Sequence, residues 1–370
     1  MSQSVAFTVN RQAFAETALR EAAVPDAASL DEGAILLRVD RFALTSNNIT
    51  YAVTGELLRY WEFFPASEGM GIIPVWGFAD VIASKCDGIT VGERVYGYFP
   101  MATHLVVSPG HVSANSFFDV SQHRASLPII YNQYLRCARD PLYREDTEAL
   151  QMLLRPLFTT SFLLDDFLAD NGFFGAETVL LTSASSKTAL GMAYLLHRNR
   201  GQRDNDYEVV GLTSAGNRDF VQGLGCYDRV LCYEDVENLD ARRACVVVDF
   251  AGDSELMARV HDHYDRQLRY SCLVGASHGE QLGKSAQPLK GPEPVMFFAP
   301  TQAQKRIGEW GAPLFQQKLS QVWGEFTGFV GQWMQVETSL GVAATERVYQ
   351  EVLAGRIRPD CGHVVSLWGA

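Results

Sequence analysis

The 370-residue chain is 47% apolar and 20% charged. That composition supplies a large core and about two or three domains, not a disordered segment. Its 43 acidic residues against 31 Lys and Arg leave a net charge of −12, which argues against nucleic acid as a partner, since that affinity comes from a basic surplus. Seven cysteines lie scattered with no C-x-x-C pair, and the start MSQSVAFTVNRQAF has no signal-peptide pattern. Without an apolar run of about eighteen residues the chain is expected to avoid membranes and to work in the reducing cytoplasm.

In chain order, residues 33–44 (GAILLRVDRFAL) read as a strand, preceded by the turn formers Asp31, Glu32 and Gly33. Segments 79–84, 93–99 and 103–109 repeat the pattern between Gly and Pro punctuation, so the first part reads as a small β-rich domain or barrel. Near residue 124 the texture changes, and 146–172 carries helical spacing that stops at Asn171-Gly172. Strand and helix then alternate. Strands are expected at 177–184, 207–213, 228–233, 244–252 and 269–279, and helices at 187–199, 218–225 and 254–267. These strands are continuously apolar, which predicts a parallel sheet covered on both faces. The end, 344–369, reads as a helix, a turn and a final strand.

The first turn of this unit is where a dinucleotide diphosphate rests on a helix N-terminus. In place of the usual glycines it reads Ala184-Ser185-Ser186-Lys187-Thr188-Ala189. Small residues meet part of the steric requirement. The hydroxyls of Ser185, Ser186 and Thr188 are candidates for phosphate oxygens, and Lys187 adds charge. The plainer alternative is that Ser185 or Ser186 caps the helix. The second strand ends in Thr213 and Ser214, followed by Asn217 and Arg218, with no carboxylate before Asp219. Hydroxyls with a guanidinium suit a 2′-phosphate and so favour NADP(H) over NAD; the alternative is ordinary capping and a solvated arginine.

The stretches 33–55, 75–109 and 178–196, with 246–252, resemble the medium-chain dehydrogenase/reductase superfamily, and within it the zinc-independent quinone oxidoreductase and enoyl reductase branch. The likeness spans most of the chain; 110–150 and 280–325 match nothing in it. The resemblance implies an α/β protein: a β-rich GroES-like N-terminal domain plus a Rossmann-type doubly wound parallel sheet. The expected boundaries are 1–150 (GroES-like catalytic domain), 151–325 (Rossmann NADP-binding domain) and 326–370 (helix and strand returning to the catalytic domain). Homodimers are common in such families, so a homodimer is a further expectation.

Where the superfamily's zinc alcohol dehydrogenases carry a catalytic Cys and a Gly-His-Glu, this chain reads Leu44-Thr45-Ser46-Asn47-Asn48 and Val75-Trp76-Gly77-Phe78-Ala79. Those residues do not ligate zinc. His261 and His263 are two apart on an expected helix and do not share a face, so no metal is predicted. The resemblance then implies hydride transfer from NADPH, in an interdomain cleft, to an activated C=C bond or a quinone. The substrate would be small, apolar and conjugated. Asn48 and Tyr51 are the candidate donors to the developing oxyanion, against a helix-cap role for the first and a packing role for the second. His278, past the fifth strand, is a third catalytic candidate, and Gly275 a cofactor-loop candidate. Tyr60, Trp61, Phe63 and Phe64 read either as a substrate wall or as core, Lys305 and Arg306 as phosphate-facing or solvated. Two other readings stay open: a catalytically inactive nucleotide-binding or structural protein, and a metal-free ketone or aldehyde reductase.

Overall fold

The computed structural model describes residues 3–274 and 289–369. They form two compact units, Met1–Leu153 with Trp333–Ala370, and Leu154–Gln332. The sequence put these boundaries at 150/151 and 325/326.

In the first unit the long strands Ile35–Leu44 and Pro74–Ser84 pair antiparallel at the centre of a sheet. Its path among the described residues runs Gln335–Leu340, Cys361–Ser366, Ile35–Leu44, Pro74–Ser84, Arg94–Pro100, Gln133–Arg136, Ser116–Asp119, Pro109–Gly110, and His104–Val107 also pairs with Ile35–Leu44. Alternate residues of a strand face opposite sides. Ile35, Leu37 and Val39 therefore enter the main core with Phe7, Val9 and Phe63, whereas Leu36 joins Leu30, Ala34 and Ala83 in a smaller cluster. A hairpin of Gln3–Asn10 and Ala13–Ala23, which the sequence reading did not mark, covers one side. The helix Val342–Leu353 links Gln335–Leu340 to Cys361–Ser366, and these two strands run parallel. The chain end thus belongs to this unit.

The second unit is built on a parallel sheet whose strands are, in chain order, Thr178–Leu181, Glu208–Thr213, Arg229–Cys232, Cys245–Asp249, Leu268–Leu273 and Val295–Met296. Their spatial order is 3-2-1-4-5-6, the doubly wound arrangement with its switch point between the first and fourth strands. Val179 and Leu181 enter one core cluster and Leu180 another, so the first strand is apolar on both sides. The sequence reading ran the fifth strand to 279; the described part ends at Leu273.

Segment 280–325, which matched nothing by sequence, includes the helices Ala299–Trp310 and, from 312, Ala312–Val330. Phe326 stacks on Phe158 at 4.3 Å. Lys305 pairs with Asp170, and Arg306 with Asp166 at 2.6 Å and Asp170 at 2.9 Å. Their charges are used within this unit to fasten Ala299–Trp310 to the helix Glu148–Asp170. No helix among the described residues is long and apolar enough to cross a membrane.

Candidate functional site

In the first unit the strand Ile35–Leu44 runs into a short helix, Ser46–Val53, with Thr45 as its N-cap. Asn48, at the third helical position, reaches back: its Oδ1 accepts from the Thr45 N–H at 2.8 Å, and its Nδ2 donates to the Pro74 carbonyl at 3.0 Å. This is the reciprocal half of a capping box, with the amide buried and both ends committed. One turn on, the Tyr51 hydroxyl accepts from Trp76 Nε1 at 3.2 Å. Trp76 stands where the sequence reading sought a zinc-binding Gly-His-Glu.

Tyr51 is one of a group of phenols. Its ring centroid lies 4.6 Å from that of Tyr60 and 5.5 Å from that of Tyr98. The Tyr60 and Tyr131 hydroxyls are 3.3 Å apart, and Tyr131 packs on Tyr98 at 4.7 Å. Burial, then the neighbouring Tyr60, pushes the Tyr51 phenol well above its ordinary value, and burial does the same to Tyr98 and Tyr131. Each therefore keeps its proton at neutral pH. Sequence reasoning singled out Tyr51 and Tyr60 but not Tyr98, Tyr131 or the indole of Trp76. Trp61, Phe63 and Phe64 are core residues, and Phe64 carries the Arg124 guanidinium 4.6 Å from its ring centroid.

In the second unit the first strand ends at Leu181, the chain turns through Thr182–Ser186, and the helix Lys187–Asn199 begins. Ser183 holds φ +48°, in the left-handed region usually left to glycine. Ser186 is the N-cap, its hydroxyl accepting from the Ala189 N–H. The capping alternative is therefore realised at Ser186, while Ser185 faces elsewhere. Its Oγ lies 3.1 Å from Asn217 Nδ2 and 3.5 Å from Thr213 Oγ1. The structure thus joins the phosphate-turn candidate Ser185 to Thr213 and Asn217 at the end of the second strand. Thr213 is fully buried, Ser214 exposed. Arg218 opens the next helix with its side chain 56% exposed, 3.4 Å from Asp219.

A glycine is missing at 184, and the fold compensates from the neighbouring strand. Ala184 is fully buried, and a Cβ added to Gly211 would lie 2.8 Å from the Ala184 Cβ and 2.9 Å from the Tyr227 ring. The Ala184 methyl thus takes the space vacated at Gly211. Tyr227 holds the turn from below by donating to the Ala184 carbonyl at 2.9 Å. Along the helix, a Cβ on Gly191 would meet Ser161 Oγ at 2.8 Å, and that hydroxyl donates to the Thr188 carbonyl at 2.7 Å. Thr188 is therefore placed by a close helix–helix approach, and Lys187 is the helix's first residue.

At the switch point, Asp249 ends the fourth strand with its carboxylate buried. It accepts from the Thr182 hydroxyl at 2.5 Å and from the backbone N–H groups of Ala251 and Gly252. Burial nonetheless raises its carboxyl pKa. The sequence reading missed it; the signal was a single Asp closing the apolar run Val246-Val247-Val248. Gly275 and His278, both candidates by sequence, lie outside the described residues.

The structure is similar, over 99% of this chain and 98% of the other, to a putative NADPH:quinone reductase from Mesorhizobium loti at 11% identity and a TM-score of 0.59. It is similar to CurA of Vibrio vulnificus, solved with NADPH, over 98% of both chains at 14% identity and a TM-score of 0.59. It also resembles a mutant form of enoyl thioester reductase from Candida tropicalis over 99% and 100% of the chains, at 11% identity and a TM-score of 0.57. At this identity the likeness is one of fold: a β-rich GroES-like part and a Rossmann-type parallel sheet. No curated protein matches the sequence. Residues 42–358 match the family described as "Protein of unknown function (DUF2855)", and the chain belongs to that family.

Proposed function

We propose that this DUF2855 protein is an NADP(H)-dependent oxidoreductase of the zinc-independent type, reducing an activated C=C bond of an enone or enoyl compound, or a quinone. The observation that carries the reading is the hydroxyl-lined turn at the carboxyl ends of the first two strands of a 3-2-1-4-5-6 sheet, where Ser185 meets Thr213 and Asn217. In such sheets ligands bind at that edge.

The donor set fits the cofactor. The Ala184 methyl is buried toward Gly211, so loss of the glycine adds no bulk to the outer side of the turn. Ser185 and Ser186, with the N–H groups that open Lys187–Asn199, hold a diphosphate. Lys187 neutralises part of its charge, and Thr188 adds a hydroxyl. Ser214, Asn217 and Arg218 hold a 2′-phosphate, and Thr213 positions Ser185. NADPH, when bound, supplies the hydride. In the first unit, Tyr51 and its phenolic neighbours supply neutral O–H donors to an oxyanion. With Trp76 bonded to Tyr51, that region has no metal-ligand set.

The test is titration of the purified chain with NADPH and NADH, followed by nucleotide fluorescence. Micromolar NADPH binding with a clear preference over NADH is expected. Arg218→Ala should weaken NADPH about tenfold to a hundredfold, the worth of a charged hydrogen bond, and leave NADH nearly unchanged. Absence of binding by either nucleotide refutes the reading.

A second reading, nucleotide binding without turnover, draws support from Asn48, whose amide is spent on Thr45 and Pro74. NADPH binding with no oxidation across enones, enoyl thioesters and quinones would favour it.

A further inference from the structure

The parallel strands Gln335–Leu340 and Cys361–Ser366 pair Gln335 with Cys361 and Glu337 with His363. Residues two apart on a strand share a face, so Cys361 and His363 project together and Glu337 stands beside them. Their ligand atoms, a thiol sulfur, a ring nitrogen and a carboxylate oxygen, all lie within 4.8 Å of one another. Cys361 Sγ is 3.7 Å from His363 Nε2, and Glu337 Oε2 is 3.7 Å from His363 Nδ1. Cys361 and His363 are buried, whereas the Glu337 side chain is 59% exposed.

We propose that Glu337, Cys361 and His363 form a binding site for a divalent transition-metal ion, Zn²⁺ being the best match to the donor set. Sulfur with imidazole selects against Mg²⁺ and Ca²⁺, which take oxygen ligands. In tetrahedral geometry Zn–S and Zn–N lengths of about 2.3 and 2.0 Å separate the two ligand atoms by about 3.5 Å, close to the 3.7 Å found between Sγ and Nε2. The Glu337 carboxylate lies beside Nδ1, the ring nitrogen away from Sγ, so its exposed side chain swings toward Nε2 to supply the third ligand, and water takes the fourth position. On binding, the Cys361 thiol releases its proton to solvent, and thiolate and carboxylate together neutralise the ion.

Its three ligands lie outside the 44–48 and 75–79 segments where zinc dehydrogenases hold their catalytic ion, although one of them neighbours the first of these segments in the sheet. His363 also registers with Leu44, so the ion clips the chain end beside the strand that leads into Ser46–Val53. The sequence reading expected no metal because it looked for closely spaced ligands. Here one ligand comes from a strand 24 residues upstream of Cys361, as the difference of 337 and 361 shows.

The test is Co²⁺ titration of the full chain after chelator treatment. One equivalent should bind with a thiolate-to-cobalt charge-transfer band, and Zn²⁺ should displace it and raise the melting temperature. Cys361→Ser should abolish the band, His363→Gln should weaken binding, and Glu337→Gln should weaken it at least about tenfold. Absence of the band, or its persistence in Cys361→Ser, overturns the proposal. Should Cys361→Ser fail to fold, an unchanged affinity in Glu337→Gln, whose side chain is exposed, overturns it equally.

Discussion

Replacing Gly211 with alanine puts a methyl group 2.8 Å from the Ala184 Cβ and 2.9 Å from two Tyr227 ring carbons. Both neighbours are fixed. The Ala184 N–H donates to the Leu212 carbonyl at 2.9 Å, and Tyr227 donates to the Ala184 carbonyl. Overpacking of this kind costs about 1–3 kcal/mol, and the gain from removing a strand glycine returns about 0.5–1 kcal/mol. The net loss is therefore at most about 2.5 kcal/mol. Relief comes most readily by lifting Ala184, which drags the turn carrying Ser185, so NADPH affinity should fall about fivefold or more. Ala184→Gly alone loses one buried methyl and gains backbone freedom, about 1–2 kcal/mol. In the double variant the two share one space, and the cycle should show a coupling of about 0.5–1.5 kcal/mol in the rescuing direction. Rescue is partial because Tyr227 still crowds position 211. Equilibrium urea unfolding measures the stability terms and NADPH fluorescence the turn. Additivity of the two substitutions within about 0.5 kcal/mol would refute the idea that Gly211 compensates for the missing glycine.

Arg94 donates to Glu148 at 2.6 Å, Asp80 at 2.9 Å and Asp40 at 2.8 Å. Arg94→Met leaves three facing carboxylates, and after allowance for partial exposure should cost about 2–4 kcal/mol in thermal or urea unfolding at pH 7. Burial pushes Asp40 up, but Arg94 and Arg41 outweigh it and hold its carboxyl below 3.8. Its share of stability is present above pH 3.8 and lost as pH falls through the lowered value, so the deficit of Arg94→Met should narrow in acid. Asp249 has the opposite sign. Its carboxyl is raised, so its contribution is complete below 3.8 and declines as pH rises through the folded value; Asp249→Asn should flatten stability across that window. Tyr51→Phe should fold normally, bind NADPH with unchanged affinity and lower kcat in enone or quinone assays; a wild-type kcat would remove Tyr51 from the donor set.

The alternating strands and helices of the second unit were legible because Val179–Leu181 and Val246–Val248 are apolar on both faces, which a covered parallel sheet demands. The hydroxyl-rich turn was legible as composition, although which serine caps and which faces Asn217 depends on one backbone bend at Ser183. The compensation at Gly211 was not legible, because it links residues on neighbouring strands and no local pattern records it. Tyr98 and Tyr131 were missed for a related reason. Tyr131 sits in a segment without periodicity, and its place beside Tyr51 is set by the sheet that carries Tyr98. Of the two roles weighed for Asn48, the helix cap is the one its contacts show, and the second bond to Pro74 that takes up its amide was not legible.

The chemistry of the phenol group bears on what the substrate can be. Tyr51, Tyr98 and Tyr131 are held in the protonated form by burial first, so they offer neutral O–H donors and no charge. Neutral donors of this kind stabilise negative charge as it develops on oxygen and cost little before it appears. An enolate or hydroquinone anion spreads its charge and is weakly basic, so hydrogen bonds suffice. The alkoxide from a simple ketone is concentrated and strongly basic, and its formation calls for a Lewis acid or full proton transfer. Tyr51 and Trp76 are hydrogen-bonded to each other, and Trp76 lies in the segment where the sequence resemblance puts a zinc dehydrogenase's Gly-His-Glu. The proposed preference for conjugated acceptors rests on these donors, and faster turnover of an unactivated ketone than of the matching enone would show that this link between burial and substrate class is mistaken.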